Sequence, residues 1–307
     1  MISVHSIRFA VFGLSLSVAA CDDPLKATEI VEEPRVLAAR VEVDGAPGRA
    51  APYPGERASV RFLVAAPELE PALGFALVAC RAAPANVGLA RCAEPIFAEQ
   101  ALLEPEPVAP RIEFQLPEPA SETARPRLLV KGVICANGSP RVTESPSTCA
   151  SGDQTLAVTL EVDLATSAEA NQNPSFDTAE LSIDGEPLTP PSALPSACAG
   201  SGLREVPAGS VHRFELRFPE SARDALVSSD DTEVAVESLL LSHFASGGEL
   251  ERAFSPIPAE TATISTNIEW IAPGDPGAGG RLVRFWFVIR DLRGGSDFVE
   301  RALCVVP

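Results

Sequence analysis

The sequence predicts an all-β protein of two tandem sandwiches, on three observations. Short runs with period-two alternation recur along most of the chain. Pro, Gly, Ser and Asp separate them, and no stretch sustains the 3.6-residue apolar repeat of an amphipathic helix. Strands divided at such intervals build sandwiches.

Residues 36–43 open the first series. Ala58, Val60, Phe62 and Val64 alternate with polar or smaller neighbours, and 75–80 is a more continuous apolar run. Ile112, Phe114 and Leu116 alternate with Arg111, Glu113 and Gln115. Residues 128–135 follow. Leu156, Val158, Leu160, Val162 and Leu164 then place apolar side chains on one sheet face. The proline-rich stretch 104–110 reads as an extended surface loop. Asn137-Gly138-Ser139 fits a glycosylation triplet but reads first as a turn.

A polar break at 165–175, containing Asn171-Gln172-Asn173-Pro174, divides the two series. Leu181 and Ile183 lead into Asp184-Gly185, a strong turn signal. Phe214, Leu216 and Phe218 alternate with arginine and glutamate, and strands at 234–244, 264–271, 282–289 and 298–306 complete the set. Residues 68–73 and 221–226 have room for a helical turn or two. Phe285, Phe287 and Ile289 share one face while Trp286 and Val288 share the other, which marks a central strand.

The amino terminus carries a different signal. Arg8 is the one charge before an apolar run at 9–18, which is too short to cross a bilayer. Ala19 and Ala20 lead into Cys21, completing the layout of a secretory signal. Val18-Ala19-Ala20-Cys21 resembles the lipobox of bacterial lipoproteins. The resemblance implies a signal peptide at 1–20, and diacylglyceryl attachment and amino-terminal acylation at Cys21. It also implies a home in the bacterial cell envelope, held to a membrane by lipid. Asp22 fits either the outer membrane or the periplasmic face of the inner membrane. Residues 21–34, acidic and proline-containing, read as the acylated cysteine and a flexible tether. The expected sandwiches occupy 35–165 and 176–307.

With Cys21 set apart, Cys80, Cys92, Cys135, Cys149, Cys198 and Cys304 form an even set. In an exported chain that predicts three disulfides. Short separations favour Cys80–Cys92 and Cys135–Cys149, leaving Cys198–Cys304 as a long-range staple. The rival is Cys80–Cys135, since both cysteines end apolar runs. No CxxC or histidine cluster points to metal.

The formal net charge of −18 gives no basic footprint for nucleic acid. Removing residues 1–21 loses one arginine and no acid, moving it to −19. Past the leader there are two histidines, His212 and His243, and no G-x-S-x-G or S-x-x-K motif. The expectation is a non-catalytic protein without cofactor that binds or scaffolds an envelope protein or glycan. Two alternatives stand beside it. One is an envelope hydrolase assembled in three dimensions around His243 and Ser242. The other is a calcium-stiffened adhesion module using oxygens of Asp291, Asp297 and the Asp184-Gly185 turn.

Residues 243–250 (HFASGGEL), Trp270-Ile271-Ala272-Pro273 and 287–296 (FVIRDLRGGS) together resemble bacterial Ig-like or PKD-type domains. The resemblance covers about 234–307 and implies an Ig-like sandwich there; it implies little about function. A fainter echo, Val133 to Ser139 against Val288 to Ser296 and Val43-Asp44-Gly45 against Ile183-Asp184-Gly185, reads as a weak tandem repeat, in keeping with two tandem Ig-like sandwiches.

Overall fold

The computed structural model describes residues 27–67, 71–83, 90–118, 127–142, 147–150, 154–165, 170–190, 195–227 and 234–307. The fold is all-β; among the described residues the one helical element is a single 3-10 turn, Glu220–Ala222.

Nine strands form the first half: β1 (Arg35–Val43), β2 (Arg57–Ala65), β3 (Leu73–Ala83), β4 (Arg91–Glu106), β5 (Arg111–Gln115), β6 (Leu128–Ala136), β7 (Pro140–Arg141), β8 (Thr148–Cys149) and β9 (Gln154–Val162). An antiparallel sheet β1-β2-β5 faces a second, β4-β3-β6-β9, while β7 and β8 pair as a small hairpin. Val41, Val60, Phe62, Ile112 and Phe114 from the first sheet interlock with Phe75, Leu77, Val130, Ile134 and Val158 from the second. These are the alternating apolar positions of the sequence, buried on one face of each strand.

Two expectations fail here. Residues 104–106, expected in a loop, end the 16-residue strand β4. β4 is an edge strand that pairs with β3 alone, so most of its side chains meet solvent and it lacks an apolar signature. Of the expected helical turn at 68–73, residues 68–70 lie outside the described residues and the last, Leu73, begins β3 instead.

Twelve strands form the second half: β10 (Glu180–Ile183), β11 (Glu186–Pro187), β12 (Glu205–Pro207), β13 (Val211–Arg217), β14 (Ala225–Val227), β15 (Val234–Val236), β16 (Leu239–Ala245), β17 (Glu249–Leu250), β18 (Phe254–Ile257), β19 (Ser265–Ile271), β20 (Arg281–Arg290) and β21 (Ser296–Val306). The expected strand 234–244 is two pieces, β15 and β16. Sheet β11-β10-β13-β19-β17 faces sheet β12-β21-β20-β16-β18, and β12 joins β21 in parallel. Phe214, Trp270, Phe285 and Phe287 pack at the centre of the core between them. Asp184 and Gly185 both take positive φ, 51° and 83°, as a two-residue hairpin with the favoured twist requires.

β20 is buried on both faces. Phe285, Phe287 and Ile289 enter this core, while Trp286 and Val288 meet Val31, Leu37, Ala38 and Ala65 in a separate cluster between the two halves. Polar bonds reinforce that seam. Arg290 donates to Leu37 O at 2.6 Å, Arg284 to Ala66 O at 3.2 Å, and Arg40 pairs with Asp297. Asn171 and Asn173 of the polar break are buried rather than solvated. The Asn173 amide donates to Val41 O in the first half and accepts from the Ser296 amide in the second.

The expected tether is also partly docked. Val31 N donates to Ala245 O and Ala245 N to Glu29 O, so Ile30 bridges in parallel to the end of β16. Val31 is wholly buried in the seam cluster. Two adjacent apolar residues suffice to dock it because the end of β16 offers both an amide and a carbonyl.

Candidate functional site

Cys21 and the leader lie outside the described residues. The other six cysteines lie at disulfide distance as Cys80–Cys92, Cys135–Cys149 and Cys198–Cys304, with Cα separations of 5.5, 5.6 and 5.4 Å. Strand register excludes Cys80–Cys135. On neighbouring β3 and β6, Cys80 stands opposite Leu129 and Cys135 opposite Gly74, which puts the sulfurs at opposite ends of the pair. Asn137 sits at φ 57° in the turn that the Cys135–Cys149 bond closes.

His243 and Ser242 do not form a catalytic pair. Adjacent residues of a strand point to opposite faces. His243 shares the parity of Leu241 and Ala245 and is fully buried in the core, its ring 6.4 Å from Phe287. Neither ring nitrogen has a partner, and burial, aided by the charge on Arg252, lowers its pKa to about 3. Ser242 faces the seam and accepts from Arg290 at 3.0 Å.

His212 instead sits in a chain of three. Its Nε2 lies 2.6 Å from Ser210 Oγ and its Nδ1 2.7 Å from Asp184 Oδ2. Strand alternation puts Ser210 and His212 on one side of the chain, and pairing of β10 with β13 brings Asp184 beside them. Burial works against the charge on Asp184. The Arg213 amide, His212 and Arg204 outweigh it, holding the carboxyl below its ordinary range. The spacing Ser210-x-His212 is visible in sequence, but the cross-strand register that supplies the acid is not.

Nucleophile, base and orienting acid lie at the distances of a hydrolytic triad. The surroundings differ from one. Ser210 Oγ has one proton and two acceptors in reach, His212 Nε2 and Pro207 O. The amides of Ala208, Gly209 and Ser210 donate to Val306, Pro273 and Pro207 carbonyls. These N–H groups are committed to the fold and are not aimed at a developing oxyanion. The arrangement ties the turn before β13 to the Asp184-Gly185 hairpin.

The three aspartates considered for calcium have separate partners. Asp184 holds His212 and Arg204, Asp297 holds Arg40 and the Phe176 amide, and Asp291 holds Asn171 with the amides of Arg293 and Gly295. Among the described residues no group of three or more acids, histidines or cysteines is placed to hold a metal ion. Asp291 also belongs to an acidic cluster at the seam whose other members, Glu237 and Asp224, the sequence did not mark. Glu237 and Asp291 are 4% and 2% exposed beside Asp224, with Arg293 on Glu237 at 3.2 Å. Burial, reinforced by Asp291 and Asp224, pushes Glu237 up to about 7, and burial also raises Asp291. Asp224 accepts from the Gln172 amide and Asp291 from Asn171, so this cluster receives the polar break from the second half.

The chain matches no protein-family model, and no curated protein matches it.

Proposed function

We propose that the protein is a lipid-anchored, non-catalytic component of the bacterial cell envelope. In this reading it is held by acyl chains on Cys21 and binds or scaffolds envelope proteins or glycans. The supporting observation is the cysteine pairing. Six cysteines stand at bonding distance in three pairs, as suits an oxidising compartment, and Cys21 is left over for another use. Several acyl chains give stable anchoring where one gives marginal binding. Metabolic labelling with a palmitate analogue, followed by membrane fractionation, tests it. The wild type should label and sediment with membranes, while Cys21→Ser should do neither. A mutant that still needs detergent for extraction sinks the proposal.

A second reading, an envelope hydrolase, moves from His243 and Ser242 to Ser210, His212 and Asp184, favoured by the distances of 2.6 and 2.7 Å. A fluorophosphonate probe decides between them. The first reading expects no labelling; label on the wild type that disappears in Ser210→Ala would establish the second.

A further inference from the structure

The described residues begin at the seam. Arg35 donates to Thr28 O at 2.6 Å and lies 5.1 Å over the Phe244 ring, next to the clasp of residues 29–31 on Ala245. Thr28 is seven residues from Cys21. Seven residues reach about 25 Å at full extension. The other end of the molecule is nearly that far away. Phe285 stands opposite Ala245, and from there to Leu292, past the end of β20, is another seven residues, about 23 Å of strand. Bringing the far end to the anchor would take the whole tether laid along the flank.

Both halves point the same end at the tether. Arg284 meets Ala66, Arg290 meets Leu37 and Ser296 meets Ala39, so β20 and β1 both run away from the entry point. At the tether end of the second half, Val211 and Ile271 are cross-strand partners, 59% and 41% exposed. Glu249, four residues after Ala245, pairs with Ile271 and fixes that location. At the tether end of the first half lie Leu103 near the close of β4, Val108 just beyond it, and Val142 after β7. Gln154, opposite Ala136 at the end of β6, donates to Pro34 O and ties this end to the start of β1. Of the nine large apolar side chains exposed among the described residues, these five share one end; Val236, Leu292 and Ile96 (opposite Cys80) lie toward the other, and Phe254 sits on the edge strand β18.

We propose that this end is a membrane-docking surface. The two sandwiches stand side by side on the bilayer that holds Cys21, with Leu103, Val108, Val142, Val211 and Ile271 at headgroup level. The proposal rests on lipid anchoring at Cys21. The contact is apolar in character, because the processed chain, with Arg8 removed and a net charge of −19, gains nothing from anionic lipid.

The test uses full-length acylated protein in phosphatidylcholine vesicles with brominated acyl chains. Val108→Trp, Val211→Trp and Leu292→Trp each add one exposed tryptophan, while native Trp270 and Trp286, both fully buried, give a constant background. The added fluorescence of the first two should be quenched at least twofold more than that of Leu292→Trp, and equally at low and high salt. Equal quenching at all three sites, or strongest quenching at Leu292→Trp, overturns the proposal. So does unquenched Val108→Trp and Val211→Trp in protein that crosslinks into dimers on the vesicles. Flotation separates this from the anchor itself: wild type that fails to float, or Cys21→Ser that floats equally well, refutes lipid attachment and with it the docking.

Discussion

The core between β1-β2-β5 and β4-β3-β6-β9 is mostly aliphatic and has no tryptophan, and both of its disulfides close local hairpins. The core of the second half clusters Phe214, Trp270, Phe285 and Phe287 with ring centroids 4.8 to 6.3 Å apart. Its single disulfide spans 106 residues and ties the segment ahead of β12 to β21. The difference follows from where each half is weak. The first has a long exposed edge in β4, and Cys92 fixes that edge to β3 close to its start. The second has a well-filled centre but a rim strand, β12, that joins in parallel after a long connection, so a distant staple serves it better.

Breaking the staples should separate the halves most clearly. Replacing Cys198 and Cys304 together with alanine should cost about 4–5 kcal/mol, and Cys80 with Cys92 about 3 kcal/mol, by loop-closure entropy. Denaturant midpoints report the ranking; an equal loss from both would undo it. Asn173→Ala removes a buried bond to each half and should cost about 1–3 kcal/mol. Its unfolding should also resolve into two transitions, read by tryptophan fluorescence for the second half and by circular dichroism for both. A single transition with unchanged midpoint would mean the seam does not depend on this side chain.

His243→Leu should gain about 1–3 kcal/mol by removing two buried ring nitrogens that lack partners. It should also change the pH profile. His243 has a folded pKa of about 3 against an ordinary 6.5. The unfolded chain therefore binds the proton first, and stability falls as pH drops through that window. Glu237 acts in the opposite direction. Its folded pKa is about 7 against an ordinary 4.5, so its contribution is complete below 4.5 and fades as pH rises towards 7. Glu237→Gln should flatten the neutral side of the stability curve and His243→Leu the acidic side. Curves that stay parallel to wild type would refute both assignments. The smallest effect is expected from Ser210→Ala, about 0.5–1.5 kcal/mol, measured as a shift in melting temperature.

The strands that face a core were legible because burial on one side imposes alternation, as in Ile112, Phe114 and the run 156–162. Edges were not. β4 exposes most of its residues and β11 both of them, so neither carries a pattern. The buried role of Asn171 and Asn173 was hidden for another reason: a polar side chain with all its partners on distant strands looks, in sequence, like a solvated one. Ser210 and His212 stood in plain view, but Asp184 reaches them through a register between β10 and β13 that no local pattern encodes. His243 and Ser242 are adjacent in sequence, but alternation along β16 points them to opposite faces.

The alternation of bonds at residues 171–173 has a mechanical consequence. Asn171 and Asn173 each grip both halves, through the backbone contacts of Ala50 and Gly48 on one side and the side-chain bonds to Asp291 and Ser296 on the other. The described residues of the join are therefore held to both halves at once. A load on the Asp184 hairpin is transmitted to the first half through β20 and the seam as through a single lever, with an arm as long as the second sandwich. A force that tilts one half therefore pulls on the other through these bonds.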